Sequence, residues 1–184
     1  MNDKPKAQIM DDAAMRRAIN RICYEIVERN NGAENIIIVG IIRRGAVLAQ
    51  RIAERIETLE GITPQVAELD VRPFRDDVPR EEGQARASLP IDVQGMRVIL
   101  VDDVLHTGRT VRAAIDAIFS AGRPENIQLA TMIDRGHREL PIRPDYVGKN
   151  LPTAKSEVVR VMVLEVDGTE AVTIDDKEGQ AHVS

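Results

Sequence analysis

The chain has 184 residues, of which 43% are hydrophobic and 30% are charged, a composition typical of one globular domain and not of a disordered chain. Trp is absent, and Tyr and Phe occur only twice each, so the core must be aliphatic, which suits a buried parallel sheet. The formal net charge of -5 excludes a general attraction to polyanions, so any contact with nucleic acid requires a local basic patch.

Cysteine content and apolar runs bear on the compartment in which the protein works. The single cysteine, Cys23, cannot form an internal disulfide, and its apolar neighbours Ile22 and Ile26 predict a buried thiol in a reducing environment. The N-terminal residues lack an apolar run of signal-peptide length, and no stretch approaches the ~18 apolar residues that a membrane helix requires. We therefore expect a cytoplasmic protein without a membrane partner.

The first part of the chain is predicted to fold as helix, strand and helix, followed by a further apolar segment. Apolar residues recur at helical spacing from Asp12 onwards, and Asn31-Gly32 is a typical helix stop. A β-branched run between Asn35 and Arg43 predicts a buried strand. A second helix is expected from just after Gly45 to Gly61, followed by an apolar segment from Gln65 to Val71.

Residues 72–90 interrupt this regular alternation. They contain three prolines and many charges without periodicity, which predicts a long mobile loop or a loose hairpin. Loops of this length inside a compact domain are usually functional.

The second half resumes the alternation, apart from a Pro-rich and basic stretch from Asp134 to Lys155 and a polar tail that is expected to fray. Strands separated by helices predict an α/β fold, with a parallel sheet covered on both faces, in one domain spanning residues 1–184. The predicted elements are strand Arg97 to Val101, helix Gly108 to Ala121, strand Ile127 to Ile133, and two final strands, Val158 to Val166 and Ala171 to Ile174.

Polar turns follow three of the predicted strands. They are Arg43-Arg44-Gly45, Asp102-Asp103 and Asp134-Arg135-Gly136. In parallel sheets, ligands bind beyond the carboxyl ends of the strands, so these turns are expected to converge on one crevice.

The stretch VILVDDVLHTGRT, residues 98–110, carries the strongest chemical signal. Thr107-Gly108-Arg109-Thr110 opens a predicted helix, where free N–H groups and the helix dipole suit a phosphate; alternatively, Thr107 simply caps the helix. Asp102 and Asp103 repel each other at a buried strand end, which favours a pair held for a ligand such as a sugar diol over solvated turn acids.

Competing site types lack support in the sequence. Neither a P-loop nor a dinucleotide-binding glycine pattern is present, and no Ser or Cys triad is indicated. His106, His137 and His182 are scattered, so no zinc spacing exists.

The same stretch resembles the phosphoribosyl pyrophosphate (PRPP) motif of type I phosphoribosyltransferases. Further blocks resemble the pyrimidine operon regulators, the PyrR family, over nearly the whole chain. The resemblance implies a type I phosphoribosyltransferase fold, with a mostly parallel twisted sheet, helices on both faces, a small hood and a mobile active-site loop. These blocks are RRAINRICYEIVERN, VGIIRRGAVLAQRIAERI, FRDD and IDRGHRELPIRPDYVGKNLPT.

The resemblance also implies two activities. One is conversion of uracil and PRPP to UMP and pyrophosphate with Mg²⁺; the other is attenuation or repression of pyrimidine genes by binding leader mRNA with UMP or UTP bound. A homo-oligomer, dimeric or larger, is implied as well. Two alternatives stay open at this point: a uracil phosphoribosyltransferase that does not bind RNA, and a phosphoribosyltransferase for another base.

Carried over by residue, the resemblance assigns the ribose hydroxyls to Asp102 and Asp103, with Mg²⁺ nearby but held mainly through PRPP. Arg75 belongs to the closing loop, and His106 either assists removal of the uracil N1 proton or shapes the pocket. The remaining assignments are Arg44 and Gly45 for pyrophosphate, Thr107, Gly108, Arg109 and Thr110 for the 5′-phosphate, and Ile133, Asp134, Arg135 and Gly136 for the base.

Residues 134–155 hold five basic side chains against three acidic ones, a local excess that suits RNA phosphates. Asn20, Tyr24 and Arg43 depart from the family pattern of Thr, His and Thr, which bears on RNA sequence preference; a plain solvated surface is the alternative. The RNA-contact positions that the resemblance implies are Arg17, Asn20, Arg21, Tyr24, Arg43, His137, Arg138 and Lys149.

Overall fold

A computed structural model describes residues 5–76 and 89–176 of the chain. Strands and helices alternate along most of this length. In chain order they are β1 (Ala7–Asp11), α1 (Asp12–Asn30), β2 (Ile36–Ile41), α2 (Arg44–Glu60), β3 (Gln65–Leu69), a 3-10 turn (Arg72–Phe74), β4 (Arg97–Leu105), α3 (Arg109–Ala121), β5 (Asn126–Asp134), β6 (Tyr146–Asn150), β7 (Glu157–Met162), α4 (Leu164–Asp167) and β8 (Ala171–Asp176).

A five-stranded parallel sheet, in the order β3-β2-β4-β5-β6, forms the centre of the molecule. All six residues of β2 are buried, because this strand is paired on both edges and covered on both faces. This burial explains its uninterrupted apolar sequence, and the predicted α/β fold is confirmed.

Helices cover the sheet on both faces, as predicted. Alternate residues of β2 point to opposite sides, so that Ile36 and Ile38 join the core under α1 and α2, whereas Ile37 and Val39 join the core under α3. Cys23 lies fully buried in the first of these cores as a free thiol, and burial raises its pKa to about 12. The prediction of a buried cysteine is therefore confirmed.

The ends of α1 follow from local sequence chemistry. The Asp11 carboxylate accepts a hydrogen bond from the Ala14 N–H at 2.7 Å and caps the first turn. At the other end, Asn31 adopts a left-handed conformation with φ 55° and closes the helix where the sequence predicted a stop.

A second, antiparallel sheet in the order β1-β8-β7 forms the hood, which we define as β1, β7, α4 and β8. Strand β1 was not expected from the sequence. The predicted strand Val158 to Val166 is too long, because β7 ends at Met162 and the chain then turns into α4. Gly168, with φ 69°, ends this short helix.

Two further boundaries differ from the sequence expectations. Strand β4 does not stop at Val101 but continues through both acids to Leu105, because it stays paired with β5. The stretch from Asp134 to Lys155 contains strand β6, which begins at the buried Tyr146. Prolines and charges on either side of this strand hide its apolar pattern.

Part of the predicted mobile loop, residues 77–88, lies outside the described residues, as does the C-terminal tail from residue 177. Arg75 and Asp76 are described. Within residues 5–76 and 89–176, no helix is both long and apolar enough to cross a membrane.

Candidate active site

The carboxyl ends of β2 and β4 open into one cleft, whereas the turn after β5 lines a separate cavity, so the predicted convergence of three polar turns is confirmed for two of them. The cleft contains two adjoining cavities of about 440 Å³ and 310 Å³. The larger lies against the β2–α2 turn and the smaller against the β4–α3 turn. The walls that they share are formed by Arg75, Asp102, Val104 and Thr110.

The β4–α3 turn presents a helix N-terminus to the smaller cavity. Gly108 occupies the N-cap position with φ 93°, and no side chain caps the helix there. The N-cap residue is thus Gly108 and not Thr107, but the Thr107 hydroxyl accepts a hydrogen bond from the Arg109 N–H at 3.3 Å and so satisfies one N–H of the first turn. Free N–H groups and the positive end of a 13-residue helix therefore face the cavity.

Asp102 lies between the two cavities, and Asp103 beside it lines the larger one. One oxygen of Asp102 accepts the Asp103 N–H at 2.9 Å, and one oxygen of Asp103 accepts the Val104 N–H at 2.8 Å. Asp102 is only 6% exposed, and burial, followed by the negative charge of Asp103, raises the pKa of its carboxyl well above the ordinary value. Among the described residues, no salt bridge neutralises either acid.

The β2–α2 turn packs against β4 without space for side chains. A Cβ atom on Gly45 would lie 2.6 Å from the Val101 carbonyl oxygen, and one on Gly40 would lie 2.5 Å from the Ala46 Cα. The two glycines therefore let this turn approach the acids closely and form one wall of the larger cavity.

Arg44 extends from this turn to the hood. Its Nε and Nη2 atoms donate to the two carboxylate oxygens of Asp167 at 2.9 Å and 2.6 Å, a bidentate pair. The pKa of Arg44 is raised, mainly by this hydrogen-bonded carboxylate and also by the charge of Asp103. Asp167 was not anticipated from the sequence, since no local pattern marks its contact with Arg44.

The β5–β6 loop forms a third cavity of about 340 Å³ beside the cleft. Gly136 has φ 77° and donates its N–H to Asp134 at 3.0 Å, and His137 has φ 59°. This tight turn, together with Asn150, Pro152 and Thr153, lines the cavity. The base-binding role of Asp134 and Gly136 stays a prediction.

Two of the predicted base-binding residues have other contacts. Ile133 is fully buried in the apolar core. Arg135 lines the cavity but donates to the Thr153 hydroxyl at 3.2 Å and to the Glu157 carbonyl at 2.8 Å, so its guanidinium ties the sheet to the start of β7. Burial lowers the pKa of Arg135.

The remaining predicted site residues line the smaller cavity or its mouth. Arg75 lines both main cavities, and the His106 ring lies 6.1 Å from the His137 ring in an edge-to-face arrangement. Arg109 donates to Glu139 at 2.6 Å and to Asp76 at 3.0 Å. It thereby links the end of the described loop to the far rim of the cleft.

The predicted RNA-contact residues fall into two groups. Several lie on the outer surface of α1 and on the edge strand β6, where Arg21 Nη2 donates to the Gly148 carbonyl at 2.5 Å. Others serve the cleft: Arg43 lines the larger cavity, and His137 Nε2 lies 2.5 Å from the Thr153 carbonyl oxygen. The outer-surface positions are Arg17, Asn20, Arg21 and Tyr24 on α1 and Lys149 on β6.

Arg138 belongs to the second group. Its guanidinium donates to the Asp134 carboxylate at 2.6 Å, to the His106 carbonyl at 2.8 Å and to the Ile142 carbonyl at 2.7 Å. Because these contacts join the β4–α3 turn to the β5–β6 loop, a substitution of Arg138 would disturb the cleft as well as any RNA contact.

Comparison with known proteins decides the family. Residues 6–166 match the family described as the phosphoribosyl transferase domain. This chain belongs to the phosphoribosyltransferase family. A solved hypoxanthine phosphoribosyltransferase from Staphylococcus aureus has the same fold, with a TM-score of 0.73 over 97% of this chain and 98% of that one, at 16% identity.

In sequence, this chain is far more similar to the bifunctional PyrR proteins than to that hypoxanthine phosphoribosyltransferase. The bifunctional protein PyrR of Streptococcus uberis is 56% identical over 171 residues, which cover 93% of this chain and 98% of that protein. The protein of the same name from Deinococcus radiodurans is 55% identical over 177 residues, covering 95% and 97%. The family resemblance seen in the sequence is thus confirmed.

Proposed function

We propose that this phosphoribosyltransferase is bifunctional. It converts uracil and PRPP to UMP and pyrophosphate, and it regulates pyrimidine genes by binding their leader mRNA when UMP or UTP is bound. The observation that carries the enzymatic part is the pair Asp102 and Asp103, left without a cation partner among the described residues, at the floor of a cleft with an uncapped helix N-terminus on its wall. The similarity to the PyrR proteins supports both parts.

In this proposal, the 5′-phosphate, the ribose and the pyrophosphate of PRPP bind to successive parts of the cleft. The 5′-phosphate binds at the N-terminus of α3, and the ribose hydroxyls donate to Asp102 and Asp103. The pyrophosphate lies in the larger cavity near Arg44 and Gly45, and uracil lies against the β5–β6 loop.

The carboxylates of Asp102 and Asp103 are hard oxygen donors, which suit Mg²⁺. In the described part of the chain, no group of three acidic, His or Cys side chains is placed to hold a metal, so most ligands would come from PRPP itself. When bound, Mg²⁺ would stabilise the negative charge of the pyrophosphate.

The reaction breaks the bond between C1′ and the pyrophosphate oxygen and forms a bond from uracil N1 to C1′, with loss of the N1 proton. The two acids stabilise the positive charge that develops on the ribose, while Arg44 and Arg75 stabilise the departing anion. His106, on the wall of the smaller cavity, either assists removal of this proton or shapes the pocket. Closure of the loop that starts near Arg75 would exclude water, although most of that loop lies outside the described residues.

An assay with a panel of bases tests the enzymatic part. The purified protein is incubated with PRPP, Mg²⁺ and uracil, hypoxanthine or orotate, and nucleotide formation is measured. We expect product from uracil only, and a loss of about 100-fold or more in kcat for Asp103→Asn, because that variant lacks one of the charges facing the ribose. Product from a different base would replace uracil in the proposal.

The RNA-binding part is supported by the exposed basic and aromatic side chains on α1 and β6. It is tested by filter binding to the leader RNA of the pyrimidine operon, with and without UMP. Lys149→Ala should weaken binding without changing catalysis, whereas Arg123→Ala, which removes a cation at the opposite ends of the strands, should change neither. Absence of RNA binding under both conditions would leave a uracil phosphoribosyltransferase only.

We further propose one domain over residues 1–184, a cytoplasmic location and assembly into dimers or larger oligomers. The buried free thiol of Cys23 agrees with a reducing compartment. Light scattering after size-exclusion chromatography measures the assembly directly, and a mass of 20.4 kDa would contradict it.

A further inference from the structure

We propose that Asp167, in α4 of the hood, is a positioning residue that holds Arg44 ready for the pyrophosphate of PRPP. The inference rests on the proposed pyrophosphate position in the larger cavity. Asp167 binds the Nε and Nη2 edge of the guanidinium in bidentate fashion at 2.9 Å and 2.6 Å. Among the described residues, Nη1 of Arg44 has no hydrogen-bond partner, so one edge of the guanidinium remains available to an anion.

The Asp167 carboxylate is itself held in place. One of its oxygens also accepts the Val163 N–H at 2.9 Å, and its own N–H donates to the Val163 carbonyl at 2.8 Å. The side chain is 16% exposed, and the adjacent Arg44 lowers the pKa of its carboxyl, so it stays ionised at neutral pH. Asp167 is therefore a fixed anchor for Arg44.

A second arginine holds the anchor against α2. Arg51 lies two helical turns after Arg44 and pairs with Glu165 at 2.6 Å and with Glu170 at 2.5 Å, on either side of Asp167. Glu170 also accepts the Leu164 N–H at 3.1 Å. These pairs fix the segment around α4 against α2. Asp167 is thereby kept at the position where it binds Arg44.

Fixing Arg44 matters because a second anion competes for it. The negative charge of Asp103 also attracts the Arg44 guanidinium and adds, after the larger effect of Asp167, to the raised pKa of Arg44. Without Asp167, this flexible side chain would be drawn onto Asp103, where it would mask the charge that faces the ribose. With Asp167, Arg44 stays in the wall of the pyrophosphate cavity, and less side-chain freedom is lost when the anion binds.

The test compares Asp167→Asn with Glu165→Gln in the full-length enzyme. Both variants remove one negative charge from the same helical turn, but Glu165 pairs with Arg51 and not with Arg44. Loss of the exposed Glu165 pair leaves the more buried pair of Arg51 with Glu170, which keeps α4 in place. We expect Asp167→Asn to raise the KM for PRPP and the inhibition constant of pyrophosphate by about tenfold, the usual scale for a charged hydrogen bond. The KM for uracil should stay within about twofold, and Glu165→Gln should match the wild type in every constant.

A double-mutant cycle separates positioning from a general structural role. In an Arg44→Ala background, Asp167→Asn should have no further effect on the KM for PRPP, because the group that it positions is gone. An equal effect in both backgrounds, or unchanged constants for Asp167→Asn in an active enzyme, would overturn the inference. A wild-type protein that makes no nucleotide from uracil and PRPP would instead overturn the proposed function.

Discussion

At the residue scale, the carboxyl of Asp102 is buried in an environment that disfavours its charge. Its pKa is raised because burial disfavours the charge and because Asp103 adds a second negative charge next to it. A carboxyl whose pKa is raised by folding contributes stability that is present at low pH and is lost as pH rises through the folded-state value. The charged form of Asp102 therefore lowers the stability of the fold, but it lies where it can stabilise the positive charge of the transition state.

Asp102→Asn should consequently stabilise the protein while it lowers activity. We expect an increase of about 1–3 kcal/mol in the free energy of unfolding at about pH 8, the usual cost of a buried polar group without adequate partners. The difference should shrink on acidification and vanish below the ordinary pKa of 3.8, where both folded and unfolded wild-type chains are protonated. Urea unfolding over this pH range measures it, and a uniform loss of stability would contradict the sign.

A second prediction at this scale concerns Gly45. Gly45→Ala should lower stability by about 1–3 kcal/mol, because the added Cβ would force the β2–α2 turn away from β4. The KM for PRPP should rise in parallel.

The control is Gly61→Ala, at a position with φ 71° and open space around it. That variant should lower stability by about 1–2 kcal/mol through backbone strain, with no change in KM. Thermal unfolding and steady-state kinetics of both variants are the measurements. An equal change in the KM for PRPP in the two variants would contradict a specific role of the β2–α2 turn in binding PRPP.

At the scale of elements, the hood is attached to α2, which covers the parallel sheet, by ion pairs as well as by apolar packing. Arg51 pairs with Glu165 and Glu170, and Arg44 pairs with Asp167, so that two turns of α2 bind the α4 segment. The pKa of Glu170 is lowered, chiefly by its hydrogen bonds to Arg51. A carboxyl with a lowered pKa contributes stability at neutral pH that is lost as pH falls through its folded-state value.

Glu170→Gln should therefore weaken the attachment of the hood in a pH-dependent way. At about pH 7 we expect a loss of about 1 kcal/mol, since the pair is partly open to solvent. The loss should disappear in acid, once the pH falls below the lowered folded-state pKa of Glu170 and the wild-type carboxyl is protonated. Urea unfolding at both pH values is the measurement, and a loss that persists in acid would mean that packing and not charge is responsible.

At the scale of the whole molecule, charge limits how RNA can bind. The chain has a net charge of -5, so RNA is repelled on average and only a local group of cations can hold it. The exposed side chains of Arg17, Arg21 and Lys149, on α1 and the edge strand β6, form such a group. Arg21 connects the two elements through the Gly148 carbonyl.

RNA affinity should accordingly fall steeply with salt. For contacts to single-stranded RNA, the slope of log affinity against log salt is about -0.7 per phosphate contact. We expect Lys149→Ala to reduce the slope by about one such step and Arg123→Ala to leave it unchanged. Filter binding across a salt series provides the slopes; an unchanged slope for Lys149→Ala would remove β6 from the RNA surface.

The sequence by itself determined the elements whose signals are local. Helix α1 was predictable because apolar periodicity, the Asn31-Gly32 stop and the absence of internal breakers all lie within one segment. Strands β2, β4 and β5 were predictable as apolar runs, and the turns that follow them carry the residues of the cleft. The convergence of the turns after β2 and β4 on one cleft followed because the carboxyl ends of parallel strands meet at one edge of a sheet.

Only the tertiary structure decided how the hood is assembled from its strands, the presence of strand β6 and the contacts that hold the site residues. Strand β1 pairs with β8 at the other end of the chain, and Arg44 meets Asp167 across 123 residues. Such pairings depend on where the sheet brings distant segments together, so neither segment alone indicates them. The same reason explains Arg138: as a basic residue in a basic stretch it suggested an RNA contact, but the fold surrounds it with the Asp134 carboxylate and two carbonyl groups.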